Sequence, residues 1–96
     1  NISNTANDIT YEALKSLENY QLIDVREKHE YETRNIGGEL IPLSELEKHL
    51  PKISRDKTVV IHCQSGIRSQ KAIKILQENF GFTNMVNLTG GINKIQ

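Results

Sequence analysis

The sequence predicts an α/β domain, with a mostly parallel central sheet and helices on both faces of that sheet. Residues 58–61 (TVVI) form an uninterrupted β-branched, apolar run, which is typical of a strand covered on both faces. Beyond a short loop, apolar side chains recur at helical spacing over residues 72–80. Predicted strands and helices alternate along the rest of the chain, and this alternation favours parallel strands joined by crossover helices.

The first third of the chain contains two predicted helices and one strand. We expect the polar residues 1–8 to be frayed. Thr10 is suited to cap a helix that continues to residue 17. Residues 20–25 (YQLIDV) form a short apolar run that predicts a buried strand, and residues 28–34 predict a short polar helix.

The middle of the chain is predicted to hold a turn, a second strand and a helix. The glycine pair within residues 36–38 indicates the turn, and residues 40–41 form the short strand. Ser44 and Glu47 have the spacing of a capping box, in which each side chain bonds the backbone N–H of the other residue. This pattern predicts a helix that begins at Ser44 and ends before Pro51.

The last third of the chain follows the central strand with a helix, a strand and a turn. We expect Ser69 to open the helix, and Gly81 is suited to end it in a left-handed conformation. Residues 85–88 predict the last strand. Gly90 and Gly91 are interpreted as the start of a final turn or short helix.

The composition is that of a small globular domain, and it argues against several function classes. Twelve basic and twelve acidic residues cancel, so neither nucleic-acid binding nor membrane binding is predicted. No apolar run reaches the length that spans a bilayer. We expect a single domain over residues 1–96, and the start at Asn1 is compatible with a piece of a longer chain. A lone cysteine cannot form an internal disulfide, which favours a reducing, cytoplasmic setting.

The only cysteine of the chain, Cys63, stands between the predicted central strand and its helix, with four residues before Arg68. Backbone N–H groups of such a loop point inward and form an anion nest, to which the helix N-terminus adds its positive end. Gly66 permits the backbone conformations that this loop requires, and Ser65 and Ser69 can donate hydroxyl hydrogen bonds. We therefore expect a lowered pKa for Cys63, and an Arg68 that holds an anionic substrate group.

The alternative is that Cys63 is a small packed residue at a strand end and that the nearby arginine is a surface charge. The fixed offsets of Cys, Gly, Arg and Ser between strand and helix favour a nucleophile instead. His29, His49 and His62 carry no local sign of a protease base, and His62 should point away from its neighbour Cys63 in a structural role. Scattered histidines lack zinc-ligand spacing, so no metal or other cofactor is predicted.

Together these motifs resemble a single rhodanese (sulfurtransferase) domain over residues 9–92. The segments that carry the resemblance are LIDVRE at 22–27, EY at 30–31, IGG at 36–38, IPL at 41–43, VIHCQSGIRS at 60–69 and LTGGI at 88–92. The compact segment 35–40 is most similar to rhodanese domains fused C-terminal to molybdopterin- or thiamine-type adenylyltransferases. The resemblance implies the three-layer rhodanese-like fold.

The resemblance also implies a mechanism. Cys63 would take the outer sulfur of a donor such as thiosulfate or a protein persulfide, and pass it to cyanide, a small thiol or the carboxyl terminus of a sulfur-carrier protein. Arg68 would orient the donor. The other residues expected to bind substrate are Gln64, Ser65, Gly66, Ile67 and Ser69. A fused or partner adenylyltransferase domain is the implied macromolecular partner, and the lone cysteine implies an external acceptor.

Two residues at the carboxyl end of the predicted strand 20–25 are expected to support the site. In the family, the residue at Asp24 supports the active loop by accepting hydrogen bonds, and the alternative is that Asp24 only caps the following turn. Arg26 is grouped with Asp24 as a supporting residue, and we expect Arg26 and Glu27 to pair locally.

Two other functions stay open. Cell-division-cycle dual-specificity phosphatases share this fold but place five residues between cysteine and arginine, and four are present here. A non-catalytic, regulatory module of an adenylyltransferase is the other reading. The chain departs from many rhodanese domains in having no aromatic residue after Gly91, which predicts a truncated or weakly packed last helix and a less stable isolated domain.

Overall fold

The computed structural model describes residues 7–95, which form a five-stranded parallel sheet flanked by helices. The strands are β1 (Asn7–Ile9), β2 (Tyr20–Asp24), β3 (Glu39–Leu40), β4 (Thr58–His62) and β5 (Met85–Leu88). Their spatial order is β1-β5-β4-β2-β3, and each neighbouring pair is parallel. The apolar run at residues 58–61 is therefore the central strand, and the predicted α/β fold class is confirmed.

Helices cover both faces of the sheet and produce three layers. They are α1 (Tyr11–Ser16), α2 (Lys28–Thr33), α3 (Ile67–Phe80) and two 3-10 helices, Leu43–Lys52 and Gly91–Lys94. Val59 and Ile61 of β4 pack in one core with α3 and the first 3-10 helix, whereas Val60 faces a second core. Alternate residues of a strand point to opposite faces, so a fully apolar β4 supplies both cores. Within residues 7–95, no helix has the length and apolar character needed to cross a membrane.

Several local signals behave as the sequence predicts. The side chain of Thr10 accepts a hydrogen bond from the backbone N–H of Ala13 at 3.1 Å and caps α1. Gly81 ends α3 with a φ of 71°, a left-handed conformation that glycine adopts without a Cβ clash. Ile92 and Ile95 are buried in the C-terminal turn, so the described part of this segment packs without an aromatic residue.

The predicted helix over residues 44–50 is wrong in type and in bounds. The segment is the 3-10 helix Leu43–Lys52, and its N-cap residue is Pro42 instead of Ser44. The helix is broken at His49 (φ −120°, ψ 17°) and continues through Pro51. Proline is tolerated there because its fixed φ and missing N–H suit the first turn of a new helical segment.

Three further local features differ from the prediction, beyond shifts of one residue at several element ends. The capping box is formed at the start of α2 by Glu27 and Glu30. Helix α3 begins at Ile67 instead of Ser69, so the first turn of the helix belongs to the cysteine loop. The expectation of a frayed segment is wrong for residues 7 and 8, which lie in β1 and pair with β5. Residues 1–6 lie outside the described residues.

Candidate active site

The carboxyl ends of β2 and β4 meet at one edge of the sheet. Asp24 and His62 are register partners in these neighbouring parallel strands, and Cys63 follows directly after β4. Cys63 is only 1% exposed, so its exposure does not distinguish a nucleophile from a packed core residue. The contacts of its sulfur do.

The sulfur of Cys63 accepts hydrogen bonds from two inward-pointing backbone groups. The N–H of Gly66 lies 3.0 Å from Sγ and the N–H of Ser69 lies 3.4 Å from it. Burial raises the pKa of Cys63, but the N–H and hydroxyl of Ser69, with the N–H groups of Gly66 and Ser65, outweigh burial and lower that pKa. A thiolate is the reactive form of cysteine, so these contacts favour a nucleophile.

Gly66 provides the bend that turns the loop into the helix. It is the N-cap residue of α3, with a φ of 105° that residues with a Cβ rarely adopt. This bend places the N–H groups of Gly66 and Ser69 on the side of the loop that faces Sγ. The predicted anion nest at the start of the helix is therefore present in the geometry.

Behind the sulfur, Ser69 is held by a buried asparagine. The Ser69 hydroxyl lies 3.7 Å from Sγ of Cys63, makes a short hydrogen bond to Oδ1 of Asn87, and lies 3.0 Å from the Gly66 carbonyl oxygen. Asn87 is 3% exposed and lies on β5. Sequence reasoning missed Asn87, although a polar residue in the otherwise apolar strand MVNL is the signal that could have identified it.

The glycine-rich C-terminal turn contacts the loop directly, whereas the sequence indicated only a turn there. The N–H of Ile92 donates to the carbonyl oxygen of Cys63 at 3.0 Å, and the N–H of Asn93 donates to that of Gln64 at 2.9 Å. Gly91 lies so close that an added Cβ would be 2.3 Å from the Cys63 oxygen. The first two residues of the loop are thus fixed from the C-terminal side.

The remaining loop side chains have different surroundings. The amide of Gln64 accepts from Nη1 of Arg26 at 3.2 Å and donates to Oδ1 of Asn93 at 2.7 Å. Ser65 and Ile67 are exposed at the rim, and Ile67 retains 65% of its accessible surface. The role of these side chains in binding substrate stays a prediction.

Asp24 and Arg26 form a buried ion pair beneath the loop. Oδ1 of Asp24 accepts from the backbone N–H of Arg26 at 2.9 Å, and Oδ2 accepts from Nη2 at 2.8 Å. The expectation that Arg26 pairs locally with Glu27 is wrong, because its guanidinium turns inward and is only 2% exposed. Asp24 caps the turn, and it also supports the loop through Arg26, which reaches Gln64.

Arg68 lies in the first turn of α3 and binds Glu30 of α2 in a bidentate pair. The two nitrogen–oxygen distances are 2.7 Å and 2.9 Å. The hydrogen bond from Arg68 and the backbone N–H of Glu27 lower the pKa of Glu30 to about 2, and the same pairing raises the pKa of Arg68. Glu30 belongs to the EY motif at residues 30–31, but sequence reasoning gave it no role in the site. A second signal is the contrast between the acidic segment 24–47 and the acid-free segment 58–77.

His62 lies beneath the loop. It has no accessible surface, and Nε2 lies 3.7 Å from Oδ2 of Asp24 without a hydrogen-bond partner among residues 7–95. Burial lowers the pKa of His62, more than the nearby Asp24 raises it. A neutral, enclosed imidazole fits a structural role.

Comparison with known proteins places the chain in one family. The family model described as "Rhodanese-like domain" matches residues 10–96. A crystal structure of a rhodanese-like domain protein from Staphylococcus aureus superposes with a TM-score of 0.80 and 30% identity, covering 90% of this chain and 87% of that one. Fold and sequence therefore agree with the resemblance found in the motifs.

Curated relatives have longer chains. "Uncharacterized protein YqhL" of Bacillus subtilis is 45% identical over 75 residues, 77% of this chain and 59% of that protein. "Putative sulfur carrier protein YrkF" of the same organism is 36% identical over 90 residues, which cover 88% of this chain and 48% of the length of that relative. "Probable adenylyltransferase/sulfurtransferase MoeZ" of Mycobacterium tuberculosis is 39% identical over 74 residues, which cover 74% of this chain and 19% of the length of that relative. The expected likeness to adenylyltransferase-fused domains is thus found.

Proposed function

Since this chain belongs to the rhodanese-like domain family, we propose that it is a sulfurtransferase that carries sulfane sulfur as a persulfide on Cys63. The observation that carries the proposal is the pair of backbone N–H groups, from Gly66 and Ser69, that point at Sγ. These groups stabilise the attacking thiolate, and they are suited to stabilise the persulfide anion that replaces it. Relatives whose names include sulfur carrier and sulfurtransferase support the reaction class.

The first half-reaction loads Cys63. Its thiolate attacks the outer sulfur of thiosulfate, the sulfur–sulfur bond of the donor breaks, and sulfite leaves with the electron pair. In the second half-reaction a nucleophile such as cyanide attacks the outer sulfur of the persulfide, and the Cys63 thiolate leaves as thiocyanate forms. Both steps are substitutions at sulfur, so the cycle is a double displacement with ping-pong kinetics.

Arg68 and the loop residues orient the donor in this proposal. Arg68 has five N–H groups, of which two bind Glu30, so three remain for an oxygen of the donor. Gln64, Ser65, Gly66, Ile67 and Ser69 complete the wall around the sulfur. Asp24 and Arg26 hold this wall from below through Gln64.

The acceptor comes from outside these 96 residues, because Cys63 is their only cysteine. A small thiol or the carboxyl terminus of a sulfur-carrier protein fits the proposal, and the likeness to MoeZ supports an adenylyltransferase domain as a fused or separate partner. A reducing compartment such as the cytoplasm suits a carrier that works through a free thiolate.

Mass spectrometry tests the proposal. Incubation with thiosulfate should add the mass of one sulfur atom to the protein, and cyanide should remove it. The matched control is Cys63→Ser, which keeps an acceptor atom for the N–H groups of Gly66 and Ser69 and should show no adduct. A wild-type protein that gains no sulfur from thiosulfate or from a persulfide donor would overturn the proposal.

A further inference from the structure

The one arginine of the cysteine loop is already bound to a carboxylate. Nη1 and Nη2 of Arg68 lie 2.7 Å and 2.9 Å from the two oxygens of Glu30. Both side chains are partly covered, with 33% and 24% of their surface exposed. Two parallel, charge-assisted hydrogen bonds are the strongest arrangement that these groups can form. A donor anion must therefore share Arg68 with Glu30.

A second arginine, beneath the loop, is also neutralised by a carboxylate. Arg26, which contacts the loop through Gln64, is bound to the carboxylate of Asp24 and is buried with it. Each of these arginines thus has its own carboxylate partner. The two arginine–carboxylate pairs are each neutral, so the thiolate of Cys63 leaves the site with one net negative charge. The attraction for anions then comes from backbone dipoles, which hold one sulfur atom well but act weakly on a dianion at longer range.

Glu30 keeps its charge under all ordinary conditions. Its pKa is lowered to about 2, chiefly by the hydrogen bond from Arg68 and by the backbone N–H of Glu27. Because the carboxylate does not protonate near neutral pH, the compensation of Arg68 is permanent and is not a pH switch.

We propose that Glu30 is a positioning residue that sets donor specificity: by holding Arg68 in a neutral pair, it disfavours dianionic sulfur donors relative to persulfides of low charge. This inference rests on the proposed function. For a low-charge donor R–S–SH, the Cys63 thiolate attacks the outer sulfur, the sulfur–sulfur bond breaks, and R–S⁻ leaves with the electron pair. The proton stays on the transferred sulfur, so no oxidant or reductant is required.

The variant that tests this role is Glu30→Gln. The amide oxygen of glutamine can still accept from the N–H of Glu27 in the capping box, so helix α2 is preserved while the charge is removed. Sulfur loading of Cys63 is timed with thiosulfate and with the persulfide of 2-mercaptoethanol. We expect loading from thiosulfate to rise about fivefold to tenfold, and loading from the persulfide to change less than about twofold. The gain should shrink at high salt.

Two controls separate the charge effect from damage to the fold. Glu32→Gln makes the same charge change on the same helix, at an exposed residue 3.9 Å from Lys28, and should leave the ratio of the two loading rates unchanged. The double variant Glu30→Gln/Arg68→Gln should lose the gain, because that gain acts through Arg68. Equal changes with both donors in Glu30→Gln, or no rise with thiosulfate, would overturn the inference and leave the proposed function standing. Loading from neither donor in the wild type would instead overturn the proposed function and the inference with it.

Discussion

Gly91 lies directly against the backbone of Cys63, 28 positions earlier in the chain: a Cβ on Gly91 would be 2.3 Å from the carbonyl oxygen of Cys63. The same oxygen accepts a hydrogen bond from the N–H of Ile92 at 3.0 Å. The C-terminal turn is therefore a wall of the candidate active site, and its glycine is needed for close approach as well as for its backbone conformation.

We predict that Gly91→Ala destabilises the protein by about 2–4 kcal/mol, because the methyl group would overlap two backbone carbonyls in addition to straining a φ of 58°. Gly81→Ala is the matched control. Gly81 has a similar φ of 71°, but no neighbouring atom of residues 7–95 lies within 4 Å of its Cβ position, so Gly81→Ala should lower the free energy of unfolding by about 1 kcal/mol. Urea denaturation measures both values, and equal losses would show that the turn can move away from Cys63.

The pKa of the Cys63 thiol should lie below the ordinary cysteine pKa of 9.0. The rate of alkylation by iodoacetamide, followed against pH, gives this pKa directly. We expect Ser69→Ala to raise the midpoint, because the variant removes the hydroxyl near Sγ while the N–H groups of Ser69 and Gly66 remain. A wild-type midpoint at or above the ordinary value would mean that burial outweighs the hydrogen bonds.

The same pKa shift predicts how stability depends on pH. A thiol whose pKa is lower in the folded state stabilises the fold above its unfolded pKa, and this contribution is lost as the pH falls through the folded pKa. The wild type should therefore gain stability relative to Cys63→Ser as the pH rises towards 9.0. Urea denaturation of both proteins under reducing conditions measures the difference, and a difference that falls with rising pH would contradict the lowered pKa.

The buried pair of Asp24 and Arg26 should be far more sensitive to mutation than a surface pair. Arg26→Met leaves the carboxylate of Asp24 buried without its partner, and we expect a loss of about 3–5 kcal/mol in the free energy of unfolding. Lys28→Met removes one partner of the exposed pair with Glu32 and should cost less than about 1 kcal/mol. Similar losses in the two variants, measured by denaturation, would argue against a structural role for the buried pair.

The short loop between Cys63 and Arg68 should exclude phosphatase chemistry. Four residues form a nest in which two N–H groups converge on one sulfur atom, and a tetrahedral phosphate requires a wider loop. We expect aryl phosphate hydrolysis by the wild type to equal that by Cys63→Ser, while sulfur transfer from thiosulfate to cyanide differs between them. Phosphate hydrolysis faster than sulfur transfer would favour the phosphatase instead.

Much of the sheet could be predicted from local pattern. The run at residues 58–61 is β-branched and apolar because both faces of β4 are buried, and a strand buried on both faces requires apolar side chains at consecutive positions. Edge strand β1 was missed, since two of its three residues are polar and the strand exists only through its pairing with β5. Ser44 and Glu47 have the spacing of a capping box but do not form one, because that segment adopts a tighter 3-10 helix.

Within the site, prediction succeeded where the chemistry is contiguous in the chain. Cys63, Gly66 and Ser69 share one loop and helix start, so their offsets alone indicated N–H groups pointing at sulfur. Of the partners from elsewhere in the chain, Asp24 and Arg26 were expected through the family resemblance, whereas Glu30 and Asn87 were given no role in the site. Glu30 and Arg68 are 38 positions apart, and nothing local marks which of many carboxylates an arginine will meet.

The sequence by itself determined the order of strands and helices from α1 onwards, the position of the cysteine loop and the family, because hydrophobic period, glycine placement and motif spacing are local properties. Only the tertiary structure decided that Arg26 turns inward to Asp24, that Glu30 neutralises Arg68, and that Gly91 closes the loop. These contacts depend on how parallel strands and helix starts converge at one edge of the sheet, and that convergence joins residues that are distant in the chain.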